Sequence, residues 1–355
     1  MPRTAPPIAE RRAAYAAELA RGTARFHEPR RAACPWCGSQ RLRTRLRTTD
    51  LRLRRPGTFV VDTCGDCAHT FQNPRLTAEG RAFYHRDGPD ETAEDLAGRL
   101  LGARGGTRRH LAAARALLPF PEPESWLDVG TGLGRFPEAA REIHPYTAFD
   151  GLDATRRVER ARAAGRVEEA HVGRLTDPRI AERLRGRYDV VSMFHHLEHT
   201  PDPREELRAA LGVLRPGGHL LVESPDPDSA FGPLLGRWWT AHGQPGHLHL
   251  MPLPNLLGEL ESLGCAVVVT DRRAPHVPHD LAGAAALALG RALPGPDAPW
   301  RPAPPTPLQR GLRTGLSRAS APLLAATAGL DHLLAPLLRR TRFSNAYRVV
   351  ARRES

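Results

Sequence analysis

The stretch LDVGTGLGRF, Leu127 to Phe136, decides how the rest of the chain is read. An apolar run ends in a glycine-rich turn that opens onto a helical pattern, with Gly130, Gly132 and Gly134 spaced GxGxG. Glycine there permits backbone torsions closed to other residues and lets bare main chain approach a ligand. A dinucleotide fold would need GxGxxG, and the residue three after Gly132 is Arg135, so that fingerprint fails at its third glycine. Twenty-three residues after Gly130, Asp153 closes the next apolar run, where its carboxylate can accept from both hydroxyls of a ribose. Asp128, just ahead of the glycines, suits a cationic amino group. Strand, GxGxG, helix, strand and acid together predict a Rossmann relative that holds a nucleoside.

Outward from this loop the pattern alternates. Strands are expected at Trp126–Val129, Ala148–Leu152, Glu169–Val172, Asp189–Met193, His219–Glu223 and Ala266–Thr270, with helices over 135–143, 155–164, 179–185, 203–214 and 255–262. Such βαβα order predicts an α/β fold, a Rossmann-like doubly wound sheet with helices on both faces. A Pro-rich hinge over 119–123 opens a catalytic domain expected at 119–273. Residues 274–344 depart from the alternation, and the strand-like run Ala346 to Arg352 then closes the chain (345–355) as a last strand of the sheet. In the departing segment, Leu308, Leu312 and Leu316 fall at helical spacing, and Leu323 to Leu337 line another face. The expectation is a helical insertion covering the core; the alternative is a basic amphipathic helix making peripheral membrane contact through 307–340.

Upstream, residues 1–33 read as a helical segment and 78–118 as a helical linker or cap. Between them, four of the five cysteines form two CxxC pairs, Cys34 with Cys37 and Cys64 with Cys67, 26 residues apart. Two such knuckles suit tetrahedral thiolate coordination of one Zn2+, and four thiolates would close the shell, so the metal is expected to be structural. The β-prone runs 41–47 and 58–62 complete a small zinc ribbon over 34–77. His69 is a competing ligand, and Cys265 stands alone.

The 355 residues can hold one α/β domain with small accessories. With 41% hydrophobic and 25% charged residues, and no export signal in its first residues, the chain reads as a cytoplasmic protein whose thiols stay reduced. A net charge of +12 would ordinarily point to a polyanion, but all 51 basic residues are arginine, which reads as compositional bias on a solvated surface.

The loop, with YDVVSMFHHLEHTPDP (188–203) and LRPGG (214–218), resembles the class I S-adenosylmethionine-dependent methyltransferases, in particular ubiquinone-biosynthesis O-methyltransferases, over about 125–270. The resemblance implies that Asp128, Gly130, Gly132 and Gly134 cradle the methionine portion of S-adenosylmethionine, that Asp153 holds the ribose, and that Met193, Phe194 and His195 border cofactor and acceptor. Where the family often has an aspartate for the adenine amino group, this chain has Gly173 and Arg174. CPWCG with TCGDCAHTFQNPRLT resembles the zinc module ahead of sugar C-methyltransferases, whose long C-terminal domain is absent here.

Methyl transfer is an in-line displacement helped by a base, and histidine suits that task. His195, His196 and His199 follow the fourth strand of the domain; His242, His247 and His249 follow the fifth. His195 and His247 are the candidate catalytic residues. His195, Glu198 and His199 also spell HxxEH, but a metalloprotease helix is excluded by the strand before them and Pro201 after. The function expected is methyl transfer to a small-molecule acceptor, a secondary metabolite, sugar or lipid-linked compound. The alternative is a zinc-ribbon RNA methyltransferase, with seven arginines between Arg41 and Arg55 on phosphates; the SMFH turn, unlike an AsnProProTyr turn, disfavours nucleic acid. A non-catalytic scaffold is the third reading.

Overall fold

The computed structural model describes residues 7–86 and 103–354; the middle of the expected linker, 87–102, lies outside them. The chain divides into two compact units, each assembled from three segments: Met1–Pro89, Phe231–Leu248 and Pro278–Pro336 in the first, Asp90–Ala230, His249–Val277 and Leu337–Ser355 in the second. The span 231–248, expected within the catalytic domain, thus belongs to the first unit. There, Trp239 Nε1 donates to Asp280 at 2.7 Å, tying this loop to the helix Asp280–Ala292.

In the first unit, three antiparallel strands run in the order β1 (Leu42–Thr48), β2 (Phe59–Cys64), β3 (Thr70–Gln72). β1 alternates Leu or Thr with Arg and stays partly exposed, whereas every residue of β2 is buried. Beneath lie aromatic rings: Phe26 stacks on Phe83 at 4.5 Å, and Tyr15, from the helix Ile8–Ala20, meets Phe83 edge-on at 5.3 Å. Phe83 sits on the helix Ala78–His85, whose start is capped by Thr77 Oγ1 accepting the Gly80 N–H. Fully buried Asp62 is matched by Arg30, the Thr44 hydroxyl and the Asn73 amide, so its charge is not left unpaired.

The same unit carries residues 307–336 of the 32-residue helix Pro307–Leu338. Its buried Asp331 accepts N–H bonds from Leu281 (3.1 Å) and Ala282 (2.8 Å), closing the start of the helix 280–292. The helical insertion exists, but it does not bury its leucines: Leu308 is 72% exposed and Leu333 75%.

The second unit is built on seven strands: β4 (Ser125–Val129), β5 (Ala148–Asp153), β6 (Ala170–Val172), β7 (Tyr188–Phe194), β8 (Leu214–Pro225), β10 (Cys265–Asp271) and β11 (Ala346–Arg353), with a two-residue β9 (His249–Leu250) outside the sheet. Their order is β10-β11-β8-β7-β4-β5-β6. β4 through β8 pair in parallel, and β11 lies antiparallel to both β8 and β10. Helices Arg135–Ala140, Arg157–Ala163, Pro178–Leu184 and Pro203–Val213 supply the crossovers. This is the doubly wound, Rossmann-like fold expected. The sheet's two halves diverge at β4, so the cleft at its C-terminal end is where such sheets take ligands. The core under this point joins Trp126, Phe136, Phe149, Val190, Leu221 and Val350, all buried.

β11 inserts between β8 and β10 with a buried ion pair: Arg348 reaches Glu223 Oε1 with Nε at 2.7 Å and donates from Nη1 to Ala112 O.

Candidate functional site

The glycine turn takes the torsions its sequence requires. Gly130, Gly132 and Gly134 have φ of 77°, 56° and 71°, in the left-handed region. A side chain at Gly130 would collide with His196 Nδ1, 2.8 Å from an ideal Cβ, whereas one at Gly132 would meet no atom within 4 Å. Gly132 is therefore where the turn offers bare main chain to a ligand. Gly130 N–H and Thr131 N–H both donate to Leu152 O, pinning the turn to the end of β5.

Asp153 closes β5, and both of its carboxylate oxygens are engaged. Oδ2 accepts the Gly132 N–H at 3.0 Å, while Oδ1 accepts the Thr155 N–H (2.8 Å) and hydroxyl (2.6 Å). A carboxylate offers about four acceptor positions, so roughly one remains for a ribose hydroxyl. Thr155 would have to rotate to free a second.

Asp128 is buried on β4, and Ser192, its cross-strand partner on β7, donates to Oδ1 at 2.7 Å while accepting from Trp126 Nε1 at 2.9 Å. Burial is the chief cause that pushes the Asp128 carboxyl up to about 7, against the Ser192 and Thr131 hydrogen bonds, which lower it. Such a group is poised to ionise when a cation arrives.

At the C-terminal end of β7, Met193 is fully buried, and Phe194 packs on Phe136 at 4.3 Å. His195 follows with φ 50°, a strained torsion for a non-glycine residue, held by its N–H to Glu223 O. Its Nδ1 lies 3.2 Å from Glu198 Oε1 and its Nε2 3.2 Å from Arg109 Nη1. Arginine only donates, so Nε2 is the acceptor and the neutral ring carries its proton on Nδ1 toward buried Glu198. His196 is bound through Nε2 to Glu206 Oε1 at 2.9 Å, and its ring backs Gly130.

The second histidine candidate, His247, belongs to the first unit, where Nδ1 is 2.8 Å from Ala241 O and the ring lies on Gly243. Four residues central to this geometry were missed in the sequence reading: Ser192, Glu198, Thr155 and Arg109. A serine inside the apolar run VVSMF and a glutamate three residues after His195 were available signals. Arg109 had none, because its helix lies ahead of the boundary at 119 expected from the sequence and 86 residues from His195 along the chain.

In the first unit the four cysteines come together. Their Sγ atoms all lie within 4.8 Å of one another, with Cys34 to Cys67 at 3.7 Å and Cys37 to Cys64 at 3.5 Å. A tetrahedron of thiolates about 2.3 Å from a zinc ion has edges of about 3.8 Å, so the sulfurs fit such an ion. Backbone N–H groups of Trp36 and Asp66 point at Cys34 and Cys64 Sγ, as thiolate acceptors require. His69 is outside this group; its ring stacks with Phe71 and lies tilted by 30° to Trp36.

Residues 104–270 match the family described as a methyltransferase domain. The chain is 32% identical over 99 residues to the ubiquinone biosynthesis O-methyltransferase of Alkalilimnicola ehrlichii, covering 28% of this chain and 40% of that protein. It is 29% identical over 157 residues to that of Xanthomonas campestris pv. campestris, covering 44% and 61%. The chain thus spans less than two thirds of these relatives. Among solved structures, phosphoethanolamine N-methyltransferase 2 of Haemonchus contortus, bound to phosphomonomethylethanolamine and S-adenosylhomocysteine, aligns with a TM-score of 0.50 at 14% identity, covering 81% of this chain and 63% of that one, a likeness of fold. Residues 104–270 are thus similar to a methyltransferase domain, and they lie on a Rossmann-like sheet.

Proposed function

We propose that the chain transfers a methyl group from S-adenosylmethionine to a small-molecule acceptor, a secondary metabolite, sugar or lipid-linked compound, with His195 as general base. The observation that carries this is the turn at Gly132, open at its Cβ position and tied by its N–H to Asp153. Asp128 would hold the ammonium group, Asp153 a ribose hydroxyl, and Met193 and Phe194 would border the donor. Bound there, the donor supplies an electrophilic methyl group on a sulfonium.

The residues' task is then mostly positional, since near-attack geometry accounts for much of the rate in such displacements. His195 adds proton removal. An acceptor hydroxyl displaces Arg109 from Nε2 and gives its proton to that nitrogen, while Glu198 steadies the resulting imidazolium through Nδ1–H. His247, whose Nδ1 lies 2.8 Å from Ala241 O, is the second candidate catalytic residue. The cysteine cluster would hold a structural Zn2+, which orders the first unit and leaves no coordination position for chemistry. Thiolate ligands would suit a reducing compartment.

Calorimetry with the donor tests the cradle. Asp153→Ala is expected to weaken donor binding about tenfold or more, for one lost charge-assisted contact and a loosened turn; unchanged affinity would overturn the reading. Methyl-labelled donor offered with a metabolite extract and with cell RNA separates acceptors, and label in RNA would favour the alternative. Glu198→Gln is expected to lower kcat by about tenfold to a hundredfold with KM for the donor little changed.

A further inference from the structure

We propose that the helix Pro307–Leu338 docks in the plane of an anionic lipid bilayer. At 100° per residue, Leu312, Leu316, Leu323, Leu330, Leu333 and Leu337 fall within an arc of about 100° on one face. All are exposed, between 43% and 75%. Together they leave on the order of 600 Å² of leucine surface in solvent, the upper limit for a typical monomer's largest apolar patch. The helix lies beyond the residues matched to the methyltransferase domain.

Charge identifies the occupant. Between 307 and 342 there are six arginines, at 310, 313, 318, 339, 340 and 342, and a single acid, Asp331. That acid is 2% exposed, with both carboxylate oxygens on backbone N–H groups of Leu281 and Ala282. The exposed surface there carries leucine and five of the arginines (310, 318, 339, 340 and 342) without a carboxylate, Arg313 being turned to Pro294 O, and it is complementary to anionic headgroups over an apolar layer. The Asp331 bonds also hold one side of the helix on the first unit, so it lies along the membrane and does not cross it.

A second copy of the helix is the rival occupant, because Leu316, Leu323, Leu330 and Leu337 recur every seven residues. Pro322 and Pro336, each next to a leucine of that seam, oppose a close helix pair. No acid is exposed on the helix to pair with a partner's arginines, which leaves the bilayer as the favoured surface.

The test uses the full chain without donor or acceptor, so its result is independent of the methyl-transfer reading. In flotation, the protein is expected to rise with phosphatidylcholine vesicles containing about a third phosphatidylglycerol and to remain below with phosphatidylcholine alone or at high salt. The double variants Leu323→Asp/Leu330→Asp and Arg339→Glu/Arg340→Glu are each expected to lower vesicle affinity about tenfold or more. Should a variant fail to fold, by circular dichroism, hydrogen exchange of the native chain decides: anionic vesicles should slow exchange across 308–338. Failure to float with anionic vesicles, unchanged exchange there, or a lipid-independent dimer abolished by the leucine variant would overturn the proposal.

Discussion

In the proposed site, Asp128 would set folding against ligand binding in one side chain. Burial drives its carboxyl up to about 7, so the folded chain without ligand holds that proton more tightly than the unfolded chain does. The linkage follows: protonation stabilises the fold fully below the ordinary aspartate range, and this contribution is lost as pH rises through about 7. A cationic ligand group reverses the preference, since the carboxylate is then paired. Donor affinity is therefore expected to rise between pH 6 and pH 7.5, the region bounded by the carboxyl at about 7 and by an α-amino group that loses its charge near ~8. Asp128→Asn should flatten that rise and weaken binding, while raising the melting temperature of the ligand-free chain at alkaline pH. A pH series of calorimetric titrations beside thermal melts checks both, and an unaltered pH dependence in the variant would remove Asp128 from the site. At this scale the sequence was informative about Asp128, Asp153 and the glycines, because their positions follow from a short turn. It was silent about Arg109, which reaches His195 across 86 residues of chain, a proximity only packing creates.

At the scale of elements, the closing strand matters more than its length suggests. β11 separates β8 from β10 and brings Arg348 against Glu223, both essentially excluded from solvent. Breaking a buried pair on one side leaves a charge without compensation. Arg348→Met is expected to cost about 3–5 kcal/mol in a denaturant titration, and Glu223→Leu in the same chain to recover much of that loss. A single variant as stable as the native chain would mean that Glu223 is already neutralised by other groups. The sequence run AYRVVAR disclosed a strand but not its direction, since side-chain alternation is identical whichever way a strand runs. Its antiparallel direction is read only from the pairing with β8 and β10.

For the whole molecule, the two units make separable demands. Four thiolates around one ion would supply order to a small unit with a modest aromatic core, while a nucleoside donor would tighten the turn after β4. About one zinc per chain is expected by metal analysis, and a strong chelator should speed hydrogen exchange over 34–72 while leaving 125–153 protected. Added donor should slow exchange over 128–136 and leave the cysteine segment unchanged. Loss of protection in both regions on chelation would show that the metal supports the entire chain. Periodicity, glycine spacing and paired cysteines sufficed to determine the sheet, the turn and the sulfur cluster, because each depends on residues near one another along the chain. Only the tertiary structure decided that residues 231–248 join the first unit, that Arg109 reaches His195, and that the leucines of 307–338 face outward. Those outcomes depend on which surfaces meet after distant segments pack, and no local pattern encodes them.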